Sequence, residues 1–324
     1  MRHRRIDVHQ HVIPPAYGEW LRSRGVHDAG GRELPQWSVE DALGLMDDQD
    51  IATGILSVST PGVHLDESRR EDPVARSKAR AVNEFAAGLA RDYPERFGFF
   101  ATLPLPDVDG ALDAATYALD TLRASGVIAL ANTHGCYLGG PEDEPLLAEL
   151  NRRRAIMFVH PSTLPGPRVD GIPPFAADFL LDTTRAAYRL VRSGATRRYP
   201  DLKIILAHAG GFLPYASHRI AAAIAAEAQR PLGDVLEDLT SFYFDTALSG
   251  SPAALPSLLA FAKPGHVLFG SDWPYAPAIA VSYFTGQLDG YGALDTAGHA
   301  AIDRLNAEAL FPQFGGGSDR PLGP

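Results

Sequence analysis

The residues with the most chemistry to offer recur at one kind of position in this sequence, the end of a short apolar run. His9 and His11 close "RIDVHQH", His160 closes "AIMFVH", His208 closes "LKIILAH" and Asp272 closes "HVLFGSD". In an extended chain residues i and i+2 point to the same face, so His9 and His11 project together just before Pro14-Pro15 breaks the run. Imidazole nitrogen and carboxylate oxygen are ligands of a catalytic Zn²⁺, or of a similar divalent ion that keeps one position open for water or substrate. Each residue alone has an ordinary alternative. A histidine at a strand end is commonly a satisfied polar side chain, and Asp272 can cap the turn that follows it. Together they make a metal site, provided that the fold brings the ends of these runs to one place.

The elements needed for that are visible. Apolar runs ending in polar or glycine-containing turns occur at 5–9, 53–59, 97–103, 126–132, 155–160, 202–208, 242–247 and 266–272. Segments with helical spacing lie between them, among them "DPVARSKARAVNEFAAGLARDYPERF" and "DGALDAATYALDTLRASG", several opening at Asp or Pro and closing near Gly or Pro as helix ends require. Nearly all-apolar strands alternating with helices indicate a parallel sheet buried on both faces. At 324 residues, closure into a distorted (β/α)8 barrel is the economical arrangement. A doubly wound open sheet is the alternative, and the glycine-rich phosphate turn that would favour it does not follow the first strand. Two stretches interrupt the alternation, an insertion at 12–50 after the first strand and the Pro/Gly-rich segment at 161–179. Both follow strands, so both would lie on the face where barrels keep their chemistry, as lids. Residues 1–312 are expected to form one domain and 313–324 a disordered tail.

Composition narrows the function classes. A net charge of −10 counts against a sequence-independent grip on nucleic acid. No run approaches the length that spans a bilayer, and no secretory leader is expected from the charged N-terminal residues. Cys136 is the sole cysteine, which excludes an intrachain disulfide and a thiolate metal cluster and suits a reducing cytoplasm. His134, just past the fourth run, is a further residue that would face the site, whereas His218 is expected on a helix.

"DVHQH", "FVHP", "LAHAGG" and "FGSDWPY", in that order and spacing, resemble the amidohydrolase superfamily. They are most similar to the branch that contains aminocarboxymuconate-semialdehyde decarboxylase and the hydroxybenzoate decarboxylases. The resemblance runs from residue 5 to about 312. Within the branch, "LPQWSVEDALGLMDDQDIATGILSVSTPGV" and "GCYLGGPEDEPLLAELNRR" look closest to 6-methylsalicylate decarboxylases. It implies one divalent metal held by His9, His11, His160 and Asp272; three imidazoles and a carboxylate suit Zn²⁺, with Mn²⁺ tolerated by the same ligands. It makes His208 the acid/base beside the metal and Arg219 a substrate-carboxylate contact presented to a neighbouring subunit's site, hence a homodimer or higher assembly. Two departures stand out. The strand-four lysine of binuclear members has no counterpart in "GVIALANTHG", which argues for a single metal. A second substrate arginine falls near Gly44, which favours a smaller or more apolar acid over a dicarboxylate.

The implied reaction is non-oxidative decarboxylation of an ortho-hydroxybenzoate. Asp272 would deliver a proton to the ring carbon that bears the carboxylate, His208 would support the relay, and Arg219 would neutralise the carboxylate. Trp20, Trp37, Trp273 and Tyr275 would wall the ring, with ordinary core packing the alternative for each. Trp273 is singled out among them as a substrate contact. The same residues also suit hydrolysis of a lactone, amide or ester by a metal-activated water. A catalytically silent barrel is the third possibility, although such barrels usually lose a ligand and here the set is whole.

Overall fold

The computed structural model describes residues 3–315. The apolar runs pair side by side, all parallel and in chain order, as β1 (Arg5–His11), β2 (Ile51–Ser57), β3 (Phe97–Thr102), β4 (Gly126–Leu130), β5 (Ile156–His160), β6 (Lys203–Leu206), β7 (Tyr243–Asp245) and β8 (Val267–Leu268). Parallel neighbours need crossovers, and the intervening helices supply them on the outside. The sheet returns to its start where Val8 N–H donates to Phe269 O (3.0 Å), Asp272 N–H to His9 O (2.7 Å) and His11 N–H to Trp273 O (2.7 Å). The result is the expected (β/α)8 barrel, and these last two bonds join the very ends that carry the histidines and Asp272.

The helices used here are α1 (Pro15–Ser23), α2 (Val39–Asp48), α3 (Pro73–Asp92), α4 (Val108–Asp120), α5 (Glu144–Arg152), α6 (Asp178–Arg192) and α7 (Leu213–Ala228). Their starts follow local chemistry. Pro73 occupies the first turn of α3 while the Asp72 side chain accepts from Val74 N (2.9 Å), and Asp107 accepts from Gly110 N (3.0 Å) at the start of α4. On α3 the buried positions Ala75, Ala79, Val82 and Ala86 form one stripe, so the helix lies flat on the strands. Asn83 fastens it, donating to Thr102 O (3.0 Å) and accepting from Thr102 N (2.7 Å) at the end of β3.

Alternation along the strands divides the core. Phe100, Ile128, Ile156, Phe158 and Ile205 fill the barrel interior with Ile6 and Val8, and Phe311 packs among them. The larger apolar layer lies between strands and helices. In β1 the pairing with β2 shifts between Asp7 and Gln10, placing one extra residue on β1. This bulge changes which face the side chains meet: Ile6 and Val8 pack inside the barrel, and above them His9 and His11 also face inward.

The insertion at 12–50 contains α1, α2 and, between them, a two-residue antiparallel pair, Asp28–Ala29 with Arg32–Glu33. The segment 161–179 is irregular apart from a 3-10 turn at Pro174–Ala176 and the first two residues of α6. A further 3-10 turn, Pro312–Phe314, sets Phe314 against the barrel interior, and residues 316–324 of the expected tail lie outside the described residues. No described helix is long and apolar enough to cross a membrane.

Candidate metal centre and substrate cavity

Parity along each strand aims the polar ends inward. His160 continues the inward row Ile156, Phe158, and Asp272 continues Leu268, Gly270. Gly270 is required there because a Cβ would meet the His9 Cβ at 2.9 Å and the Asp245 Cβ at 3.1 Å. Strand β6 stops at Leu206, and His208 reaches the interior from a turn in which it adopts a left-handed backbone (φ 53°). Asp272 is also left-handed (φ 61°), an uncommon conformation for these residues that concentrates at functional sites.

The donor atoms of His9, His11, His160 and Asp272 lie within 4.8 Å of one another. His9 Nε2 is 3.1 Å from His11 Nε2, and Asp272 Oδ1 is 3.2 Å and 3.0 Å from those two nitrogens. The opposite ring nitrogens identify the tautomers. His9 Nδ1 donates to Asp245 Oδ2 (2.8 Å), His160 Nδ1 to Pro161 O (2.8 Å) and His11 Nδ1 to Ser57 O (3.3 Å). The Asp245 carboxylate and the Pro161 carbonyl can only accept, so His9 and His160 present an Nε2 lone pair to a common centre; His11 Nδ1 also lies 3.0 Å from Ser57 Oγ, which takes either role, and its Nε2 faces the same centre. His160 Nε2 is buried with no partner among the described residues, and the His9 and His11 Nε2 atoms, 3.1 Å apart, need a cation or a proton between them. Three neutral imidazoles and one carboxylate fit a divalent ion.

The electrostatics agree. Burial opposes a charged imidazole at His9, yet Asp245 and Asp272 outweigh it and raise its pKa to about 10, so the pocket favours positive charge at this place. Burial lowers His11, and burial with the neighbouring imidazoles holds His160 well below the usual histidine range. Burial alone would raise Asp272, but hydrogen bonds from His11, His208 and His9 hold it well below the usual carboxylate range. His208 Nε2 stands 3.4 Å from Asp272 Oδ2, the oxygen directed away from the His9–His11 pair.

Above the cluster opens a cavity of about 650 Å³, of the size that holds one small organic molecule. His160, His208 and Asp272 form part of its wall, which Phe179, Leu180, Leu248 and Phe284 make largely apolar. His9 and His11 are wholly buried behind them. The ligand set therefore has a closed side within the barrel and an open side toward the cavity.

The profile of the amidohydrolase family matches residues 6–313. The chain belongs to the amidohydrolase family. This amidohydrolase is 40% identical to the decarboxylase yanB of Aspergillus niger over 96% of its own length and 88% of the relative's. It is 39% identical to the 6-methylsalicylic acid decarboxylase of Penicillium expansum over 98% of both chains. A crystal structure described as an amidohydrolase II superposes with a TM-score of 0.88 at 32% identity, covering 95% of this chain and 99% of that one. The decarboxylase branch suggested by the strand-end motifs is thus borne out.

Other residues singled out in the sequence fall elsewhere. Trp273, expected against the substrate, is buried in the layer between strands and helices and does not line the cavity. Asp272 faces inward, so the residue after it faces out; of the four aromatics singled out in the sequence, Tyr275 is the one that lines the cavity, its ring 5.3 Å from that of His11. Trp20 stacks near Tyr17 and Trp37 near Phe85, both away from the site. Arg219 is exposed on α7 and His218 beside it likewise. His134 turns to His64, with Nε2 3.2 Å from His64 Nδ1, and Cys136 is exposed. A second histidine–acid group, His3, Asp289 and Asp303, already surrounds the Arg5 guanidinium and has its positive charge in place.

Asp245 is the important residue that inspection of the sequence missed. Besides orienting His9 it accepts from His208 N (3.0 Å) and Ala247 N (2.9 Å), tying the sixth strand's turn to the seventh strand. It is the fourth residue of the run "FYFDTA" and the last of β7, so it holds the same strand-end position as the others once the strand is seen to stop there.

Proposed function

We propose that this amidohydrolase is a divalent-metal-dependent decarboxylase of a small ortho-hydroxy aromatic acid of the 6-methylsalicylate type. The observation that carries the proposal is the three-imidazole, one-carboxylate donor set opening onto a mostly apolar cavity. The full-length likeness to decarboxylases supports it. A bound divalent ion supplies Lewis acidity and a counter-charge for the carboxylate and adjacent hydroxyl of the acid. Phe179 and Phe284 exclude water from the ring. Asp272, through Oδ2, delivers a proton to the ring carbon that bears the carboxylate. The C–C bond then breaks, CO₂ departs and the ring recovers its aromaticity with that proton in place. His208, at Oδ2, returns the proton to Asp272.

Zn²⁺ is the metal this reading favours, because imidazole nitrogens dominate the set, with Mn²⁺ the alternative. Arg219, exposed on α7, is read as meeting the substrate carboxylate in a second copy's cavity within a homodimer. The single cysteine supports a cytoplasmic location. Hydrolysis by a metal-activated water would use the same residues, and the relatives' activities weigh against it.

The test is to quantify bound metal and to incubate the protein with ortho-hydroxybenzoates, 6-methylsalicylate among them, following CO₂ and the phenol. Phenol formation that a chelator abolishes and that Asp272→Asn loses is the expected result. Stoichiometric metal without decarboxylation of any such acid would overturn the reading and direct the same protein to lactones and amides.

A further inference from the structure

The cavity wall carries one feature that neither the metal set nor the proton relay uses. Among the described residues that line it, Arg32 is the only lysine or arginine. It belongs to the small antiparallel pair inserted after β1, and two contacts fix it. Its Nη1 donates to the carbonyl of Tyr275, and its guanidinium lies 5.1 Å from the centre of the Phe175 ring. The turn that carries it is pressed onto the second long loop. Gly30 (φ +61°) leaves room for Phe179, whose Cζ would lie 2.2 Å from a Cβ at that position, and Gly30 O accepts from Phe175 N (3.1 Å). The insertion and the 161–179 segment thus form a joint roof, and Arg32 ties that roof to the loop after β8.

Those contacts account for one N–H of the five that a guanidinium offers. No described carboxylate pairs with Arg32, whereas Arg5, Arg76, Arg153 and Arg230 are each held by an aspartate. A half-buried cation without a counter-anion, on the wall of a largely apolar cavity, is placed to receive an anion. The planar fork suits a carboxylate, which it can bind through two parallel hydrogen bonds.

We propose that Arg32 is the substrate-carboxylate-recognising residue that each chain contributes to its own cavity, selecting an aromatic acid over the neutral phenol left after decarboxylation. The inference rests on the aromatic-acid reading above. Because CO₂ leaves as a neutral molecule, the contact is made with the ground state and released with the product, so its loss raises KM far more than it lowers kcat.

The experiment uses the metal-loaded full chain, with Arg32→Gln and Arg32→Lys. KM and kcat are measured for 6-methylsalicylate, together with the inhibition constant of its decarboxylation product, 3-methylphenol. In Arg32→Gln, KM is expected to rise roughly 10- to 100-fold, the loss of a hydrogen bond to a charged group, with kcat and the 3-methylphenol constant little changed. Arg32→Lys recovers part of the KM. If acid and phenol weaken together, Arg32 is only a strut between roof and loop, and the proposal fails; it fails equally if KM does not move. Should the wild-type protein decarboxylate no aromatic acid, calorimetric binding of salicylate separates the two readings. Binding that Arg32→Gln abolishes keeps Arg32 as an acid-recognising residue while the decarboxylase reading falls, and no binding to wild type overturns both.

Discussion

A histidine ring has two nitrogens, and the hydrogen bond on one decides what the other can do. At His9 that bond goes to Asp245, buried on β7, which fixes the tautomer and leaves Nε2 with its lone pair toward His11 and Asp272. Replacing Asp245 by Asn keeps the volume but removes the charge and offers an amide that can present N–H as readily as oxygen. We expect Asp245→Asn to weaken metal affinity roughly 10- to 100-fold, with activity partly restored by excess metal. Metal content after dialysis against a graded chelator reads this directly, and unchanged retention would assign Asp245 a packing role alone. The convergence of His9, His11, His160 and Asp272 was legible in the sequence because strand alternation and strand-end position are simple rules. Asp245 obeys the same rules and was legible in principle. His208 was placed at the site by its position after the sixth run and by the resemblance, but the left-handed backbone two residues beyond the strand that turns it inward left no trace in the sequence. Trp273 was misplaced because its neighbour's inward orientation sends it outward.

Elements follow the sequence wherever one local cause dominates. Parallel strands are buried on both faces, so all eight appear as apolar runs, and α3 and α4 begin where Asp72-Pro73 and Asp107 provide caps. The bulge in β1 and the hairpin at 28–33 left no such trace, because both are decided by neighbours distant in sequence. Asp107 shows how one residue serves two elements. It caps α4 and receives Arg76 Nε (2.6 Å) and Nη2 (2.8 Å) from α3. Burial would raise its pKa, but the Arg76 and Gly110 hydrogen bonds prevail and lower it. A carboxylate whose folded pKa is depressed adds stability above its unfolded pKa of about 3.9, and loses it as pH falls through the folded value. Asp107→Ala is therefore expected to destabilise the protein by about 1–2 kcal/mol at neutral pH, the cost of a lost cap. The difference should narrow as the pH falls below about 4. Urea denaturation of both proteins across that range tests it, and a gap independent of pH would remove the ionised carboxylate from the account.

For the whole molecule the open issue is where the substrate's negative charge is met. The chain carries a net charge of −10 and places Asp272 at the cavity floor, so an anionic substrate needs local positive charge. Arg32 lies in the wall of the same chain, while Arg219 is exposed on α7, the helix whose start, with Phe212 and Tyr215, borders the cavity mouth. If Arg219 acts in a second copy's cavity, its loss and the loss of Asp272 damage different chains of one site. Arg219→Ala and Asp272→Asn, each inactive alone, should then complement when mixed under conditions that exchange subunits. Half of the dimers formed from an equal mixture are hybrids. Each hybrid has one cavity with both residues intact, so activity should approach about a quarter of wild type, as two-fold symmetry dictates. Sedimentation of the mixture establishes that dimers are present to exchange. Dimers that exchange yet stay inactive would exclude action of Arg219 across the interface and leave the carboxylate to the metal and to Arg32 of the same chain.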